Sequence, residues 1–276
     1  MKNLLITFSG GRTSAFMAVL LNQLPKYADW NKLFLFANTG KEMPETLDFV
    51  NQCANEFDIK IIWLEALVQS GKGNGTQYNV VDYKSASRNG EPFADVISKY
   101  GLPSKLWRHC TRELKDQPIH KFAKEHFGGK YVTALGIRAD EKHRISNKKN
   151  HIYPLAELNI DEKFIRDWWS KQSFDLKIAD YQGNCDLCFL KSKRKKLTIL
   201  LENPDVADWW NEQEIKNATP EQSLFDVYRD LSIEKLIELS KKPFRKAIDL
   251  HELRENEPQL FDMDMDLSFD CFCKST

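Results

Sequence analysis

Apolar residues follow two rhythms along this chain, and the change of rhythm divides it. Leu4, Leu5, Ile6 and Phe8 form the short continuous run expected of a strand covered on both faces. Phe16, Val19, Leu20 and Leu24 then recur at helical spacing. The same signals return at Lys32–Asn38 (KLFLFAN), a second buried strand, at Glu45–Phe57, the helix behind it, and at Ile59–Leu64 (IKIIWL), a third strand. Leu114–Phe127 predicts a helix closed by Gly128-Gly129, and Lys130–Ile137 (KYVTALGI) a fourth strand. Strands alternating with helices imply crossover units and a parallel sheet with helices on both faces, an α/β architecture. Residues 69–101 have no clear period and carry Gly71, Gly73, Gly75 and Gly90. They are expected to form a long loop with short helical pieces, a candidate lid.

The alternation then stops. Asp161–Lys171, Lys193–Leu201, Pro204–Lys216 and Ile233–Glu238 read as helices, with Trp168, Trp169, Trp209 and Trp210 as aromatic anchors to the sheet. The expected division is an α/β domain over 1–155 and a mostly helical C-terminal region over 156–276.

Composition adds little steering. The chain holds 40 basic and 40 acidic residues, so any attraction to nucleic acid must come from local patches. No apolar run approaches a membrane span, and the first residues lead straight into a strand, so a cytoplasmic location without membrane contact is expected. Six cysteines in 276 residues are too few for a secreted disulfide scaffold. Cys53, between Val50 and Phe57, reads as a small core residue.

The candidate chemistry sits first at the turn after the opening strand, Ser9-Gly10-Gly11-Arg12-Thr13-Ser14. Two adjacent glycines let backbone approach a bulky ligand, and a helix start presents unpaired N–H groups with partial positive charge. Ser9, Thr13 and Ser14 can add hydroxyl donors and Arg12 a charge, making a phosphate cradle. The spacing is neither the Walker nor the dinucleotide pattern. In parallel sheets ligands bind beyond the carboxyl ends of the strands. That rule brings Asn38-Thr39-Gly40-Lys41-Glu42, after the second strand, close to the cradle. It also brings Arg138, His143 and Arg144, after the fourth. Arg138 directly follows a buried strand, where an unliganded charge is costly, and is the preferred oxyanion clamp.

A second centre involves sulfur. Cys185-Asp186-Leu187-Cys188 has the spacing of two ligands to one metal or cluster. Cys110 and one of Cys271 and Cys273 could complete four, Cys273 being preferred. An iron–sulfur cluster, a zinc site and a dithiol redox pair all remain open on spacing alone. The run Lys191-Ser192-Lys193-Arg194-Lys195-Lys196 beside it is either a solvated face or a contact to nucleic-acid phosphates. The acidic stretch from Glu252 to Asp270 could instead pack against that run.

Several blocks resemble one family: SGGRTSA (9–15), FANTGKEMPETLDFV (36–50), CTRELKDQPI (110–119), ALGIRADEKHR (134–144), YPL (153–155) and NCDLCFLKSKRKKL (184–197). Together they resemble the phosphoadenosine phosphosulfate (PAPS) reductase family, especially its bacterial and phage-borne members. The first block is similar to the PP-loop of the adenine nucleotide α-hydrolase superfamily. The resemblance implies a Rossmann-like fold binding ATP or PAPS, with Ser9, Gly10, Gly11, Thr13 and Ser14 at the phosphates. Arg12, Asn38, Thr39, Gly40, Glu42, Gly136 and Arg138 line the same ligand, and Ser9, Arg138 and Arg144 are the candidate catalytic groups. Thr13 stands where many members carry an Asp, so magnesium accompanying the nucleotide would lack that carboxylate.

Reductases of the family attack with a cysteine in a C-terminal Glu-Cys-Gly-Leu-His motif. Here the tail offers only Asp270-Cys271-Phe272-Cys273. The cysteine set resembles that of cluster-bearing relatives instead, which implies a [4Fe-4S] cluster on Cys110, Cys185, Cys188 and Cys273, with zinc as the alternative. The implied reaction is adenylation of an acceptor, release of pyrophosphate and sulfur transfer, with a nucleic acid as a candidate acceptor and a sulfur or electron donor protein as partner. A PAPS reductase using a tail cysteine and a non-catalytic nucleotide- or nucleic-acid-binding module are the rival readings. The acceptor and the oligomeric state stay open.

Overall fold

The computed structural model describes residues 2–69, 71, 73–227 and 230–249. Its element order begins with β1 (Asn3–Phe8), α1 (Arg12–Gln23), β2 (Asn31–Asn38), α2 (Pro44–Glu56), β3 (Ile61–Leu67), β4 (Gln77–Val81) and α3 (Glu91–Tyr100). A short helix, α4 (His109–Thr111), runs through a π-helical turn at Arg112–Asp116 into α5 (Gln117–Phe127). β5 (Val132–Ala134), β6 (His151–Ile152) and α6 (Pro154–Glu157) follow, then α7 (Glu162–Trp169), α8 (Lys193–Glu202), α9 (Val206–Asn217) and α10 (Ile233–Ser240). The six strands form one sheet in the order β4-β3-β2-β1-β5-β6. All pairings are parallel except β3 with β4.

The apolar runs become the centre of this sheet because each of its strands is sandwiched. Leu4, Ile6 and Phe8 point into a core shared with α1, α2 and α7, while Leu5 joins Leu33, Leu35 and Leu64 against Ile119 and Ala123 of α5. Alternate residues of one strand thus serve opposite layers, as the period-two geometry demands. The predicted fourth strand is shorter than expected, three residues, because Gly136 and the following turn leave the sheet.

Residues 69–101 include the helical piece expected, α3, but also a strand that was not. The strand is β4, antiparallel at the sheet edge with Tyr78 and Val81 half-buried, and in α3 Phe93, Val96 and Ile97 are buried. The dense glycines mask a helical spacing that was present at those three positions.

The tryptophans do anchor their helices, with ring contacts to α2 and α3 where the sheet was expected. Trp169 packs against Phe49, Phe57 and Phe174, and its indole N–H donates to the Arg12 carbonyl at 3.0 Å. Trp210 is buried between Phe93 and Phe225. Leu155 and Ile160 lie in the same core, so the expected boundary after residue 155 falls inside continuous packing. Among the described residues, no helix is long and apolar enough to cross a membrane.

The described residues of the helical half include a fully buried ion pair. Lys196 Nζ meets Asp226 Oδ2 at 2.8 Å, each side chain only 2% exposed. Removing one member of such a pair strands the other charge in a low-dielectric core. Lys196→Met should lower unfolding stability by about 3–5 kcal/mol, and adding Asp226→Leu should recover most of it. Urea titrations of the two variants measure both effects; equal losses would show that the carboxylate is not the source.

Candidate functional site

The glycine loop connects β1 to α1 at the carboxyl edge of the sheet. Gly10 adopts φ +86°, and a Cβ there would stand 2.5 Å from Thr46 Cγ2, so only glycine fits without displacing α2. Ser14 braces the turn from inside. Its hydroxyl oxygen accepts from the Ser9 N–H at 3.0 Å and shares a 2.9 Å hydrogen bond with the Ser9 hydroxyl, and it donates to the Gly11 carbonyl. Gly11 caps α1 with no side-chain hydrogen bond. The first-turn N–H groups are therefore left to a ligand or to water, as a phosphate cradle requires.

Strand order reverses at β1, whose neighbours are β2 on one side and β5 on the other. The chain leaving β5 closes on the loop at this reversal. A Cβ on Gly136 would lie 3.6 Å from Thr13 Cγ2 and 3.7 Å from Ser14 Cα. Arg138 Nη1 donates to Thr13 Oγ1 at 3.3 Å. Burial opposes the Arg138 charge, yet Asp140, Glu141 and Glu162 outweigh it and hold the guanidinium above its ordinary pKa. Its ion pair with Asp140 is 2.9 Å long. The side chain thus ties the glycine loop to the β5 exit and to α7 while already satisfied by carboxylates. Arg144 pairs with Glu141.

Arg12 takes a different part from the phosphate donor expected. Its guanidinium donates to Asp175 Oδ1 at 2.7 Å and to the Leu176 carbonyl at 2.6 Å, which fastens the C-terminal half to α1. A group so committed is turned to structure instead of to phosphate.

The turn after β2 is a buried polar network. Asn38 donates to Glu65 Oε1 and the Ser87 carbonyl, and its own side-chain oxygen accepts from the Gly40 N–H at 3.2 Å. Glu42 Oε2 accepts from both the backbone N–H and the hydroxyl of Thr39. Glu65 also accepts from the N–H and hydroxyl of Ser87. Asn38, Thr39, Gly40 and Glu42 therefore shape the site's wall. Glu65 and Ser87 escaped the sequence reading, although a carboxylate inside the apolar stretch IIWLEAL was a signal.

The cysteine pair docks on this same turn. Glu42 bridges Cys185 in an antiparallel pairing, the Asp186 N–H donates to the Lys41 carbonyl at 2.8 Å, and Lys41 Nζ pairs with Asp186 Oδ2 at 2.8 Å. Trp210 donates to the other Asp186 oxygen at 2.7 Å, and Trp209 lies under the Lys41 ammonium. Cys185 Sγ lies 3.7 Å from Thr39 Oγ1. Burial, with the Glu42 charge behind it, pushes the Cys185 thiol well up, which disfavours the thiolate a dithiol redox centre needs.

Cys110, Cys185 and Cys188 share one apolar cluster. Even so, no three His, Cys, Asp or Glu side chains among the described residues stand close enough to hold a metal ion. Cys271 and Cys273, between which the fourth ligand was sought, lie outside the described residues, as does the acidic tail. The described donors alone do not make up a zinc or cluster site.

The basic run divides. Lys191 is buried with Nζ on the Tyr181 and Gly183 carbonyls, and burial lowers its pKa to about 8. Lys196 holds Asp226, and Ser192 caps α8. Half of the run is therefore internal structure, which no sequence count of charge could reveal.

The model of the phosphoadenosine phosphosulfate reductase domain matches residues 3–78, from β1 to β4. An uncharacterised nin region protein of Escherichia phage lambda is 38% identical over 195 residues, covering 69% of this chain and 67% of that protein. An uncharacterised protein of Methanocaldococcus jannaschii is 29% identical over 171 residues, 61% of this chain, which spans only 30% of that protein's length. Among solved structures, the PAPS reductase of Candida auris in a phosphate complex aligns at TM-score 0.37 and 18% identity, over 62% of this chain and 73% of that one. A likeness of that size fixes neither site nor activity. The domain match and the phage relative together carry the assignment: the chain belongs to the phosphoadenosine phosphosulfate reductase family.

Proposed function

We propose that this chain is an enzyme that binds an adenine nucleotide, ATP or PAPS, at the Ser9–Ser14 loop and uses it for sulfur chemistry. The observation that carries the reading is the convergence of that loop with Gly136 and Arg138 where strand order reverses. With ATP, an acceptor oxygen attacks the α-phosphorus in line; the new P–O bond forms as the bond to pyrophosphate breaks. The first-turn N–H groups of α1 and the Ser9 hydroxyl hold the departing phosphates, and Arg138 keeps Thr13 and the β5 exit in register. A donor carrying sulfide then displaces AMP from the activated acceptor. Positioning and preorganised dipoles supply the rate, since the loop is braced before any ligand arrives.

Anaerobic calorimetry with magnesium and ATP, and separately with PAPS, tests the reading, and one of the two should bind in a single site. Gly136→Ala sits at ordinary contact distance and should bind nearly as the parent. Gly136→Val fills the space beside Thr13 and Ser14 and should weaken binding by roughly tenfold or more, about 1.4 kcal/mol, with little change in melting temperature. Equal affinities for parent and valine variant would remove the loop from the ligand site. Ser14→Ala leaves the Ser9 N–H without its internal acceptor and should cost about 1–3 kcal/mol of stability by thermal melting, with weaker nucleotide binding.

Thiol accessibility tests the cysteine reading separately. Cys53, Cys110, Cys185 and Cys188 are all buried and unbridged. In a Cys271→Ser/Cys273→Ser chain, all four remaining thiols should react with a chromogenic disulfide only after denaturation. Rapid native reaction of two thiols would restore the dithiol reading.

A further inference from the structure

A second place in the molecule has the chemistry of a polyanion site and shares no residue with the glycine loop. α5 packs across β1 to β4. Beyond it, beside β5 and β6, opens a cavity of about 710 Å³. Lys121 and Lys124 come to it from α5, and Lys148 and Lys149 from the segment leading into β6. None of its lining residues is an Asp or Glu. In a chain with 40 acidic and 40 basic residues, four lysines in the lining of one hollow is a local excess, with Asp116, beside Gln117, as a nearby counter-charge.

The wall between these lysines is aromatic and polar. His120 Nδ1 lies 3.0 Å from the Tyr131 hydroxyl, and the two rings are nearly parallel, 21° apart. His151 Nδ1 is buried and has no hydrogen-bond partner among the described residues. Burial holds both imidazoles below their usual pKa, with Lys148 pushing the same way and Asp116 pushing His120 back. At neutral pH the positive charge is therefore the lysines' own. Lys121 also donates to the Thr76 carbonyl, whereas Lys124 and Lys149 are exposed.

We propose that this cavity docks a single-stranded nucleic acid, with successive phosphates against the lysines and a base against the Tyr131 and His120 rings. Point charges spread over two elements suit a run of phosphates better than one small anion, for which a guanidinium fork is the usual device. A hollow with Tyr131 and His120 in its wall suits an unpaired base better than the convex surface of a duplex. The site is independent of the nucleotide reading and stands or falls without it.

Fluorescence anisotropy of the full chain with a labelled mixed-sequence strand of about twenty nucleotides, over a salt series, tests the proposal. Lys124→Glu/Lys149→Glu should weaken binding by roughly tenfold or more at low salt and make the logarithmic salt slope shallower by about 1.4. Tyr131→Leu should weaken binding while leaving that slope unchanged, because it removes stacking and no charge. Lys193→Glu/Lys195→Glu, in the basic run, should bind as the parent. Melting curves and nucleotide calorimetry should be unchanged in the Lys124→Glu/Lys149→Glu variant. The proposal is overturned by absence of binding at low salt, by undiminished binding in that variant, by tighter binding of the matching duplex, or by full displacement with millimolar inorganic phosphate. Any of these with nucleotide binding intact would sink this inference alone.

Discussion

The ion pair between Lys41 and Asp186 joins the exit of β2 to the loop that carries Cys185 and Cys188, and much of the site hangs from it. Both side chains are about one-tenth exposed, and the pair is backed by the Trp210 N–H, the Trp209 ring and a backbone hydrogen bond from Asp186 to Lys41. Charges this dry are weak as net stabilisers, because desolvation offsets most of their attraction. What they do provide is register. A slip of the cysteine loop by one residue would leave two buried charges and an indole N–H unmatched, each at several kcal/mol or a good part of it.

The same logic organises the turn beneath. The strand ends at the carboxyl edge leave polar backbone to be satisfied, and here the partners are side chains instead of water. Asn38, Glu65 and Ser87 share one set of bonds and Thr39 and Glu42 the adjoining one, and Gly40 passes so close to Gly90 that a Cβ would stand 3.0 Å from its Cα. One Glu42 oxygen, Oε1, is buried without a hydrogen bond among the described residues, with the Lys115 ammonium 3.9 Å away. The glycine loop next to this network is rigid for a different reason, the Ser14 brace. Two independently stiffened walls therefore face one edge of the sheet, the arrangement that lets a site act by positioning.

How much of this could be read in the sequence depended on whether the signal was local. β1, β2 and β3, with the helices after β1 and β2, announce themselves by period, and the Ser9–Ser14 loop by its glycines, so the core of the sheet and its ligand edge were legible. α3 was legible only as an unplaced helical piece among glycines despite Phe93, Val96 and Ile97, and β4 is an edge strand whose side chains carry no apolar alternation. Long-range pairings were illegible in principle. Nothing local tells that Arg12 will turn to Asp175, that Lys196 will bury itself on Asp226, or that Arg138 will be met by three carboxylates. A charge read from sequence is only a charge; whether it faces water, ligand or partner is decided by the fold.

The central claim is that the loop after β1 and the exit of β5 form one ligand site. Hydrogen-exchange mass spectrometry with and without the tighter-binding nucleotide addresses it most directly, since it locates protection without assuming a reaction. The account predicts that peptides covering Ser9–Ala15 and Gly136–Arg144 gain protection together, in proportion to occupancy. Protection confined to peptides of α5 and β6, or protection of the glycine loop with no change at the β5 exit, would contradict it.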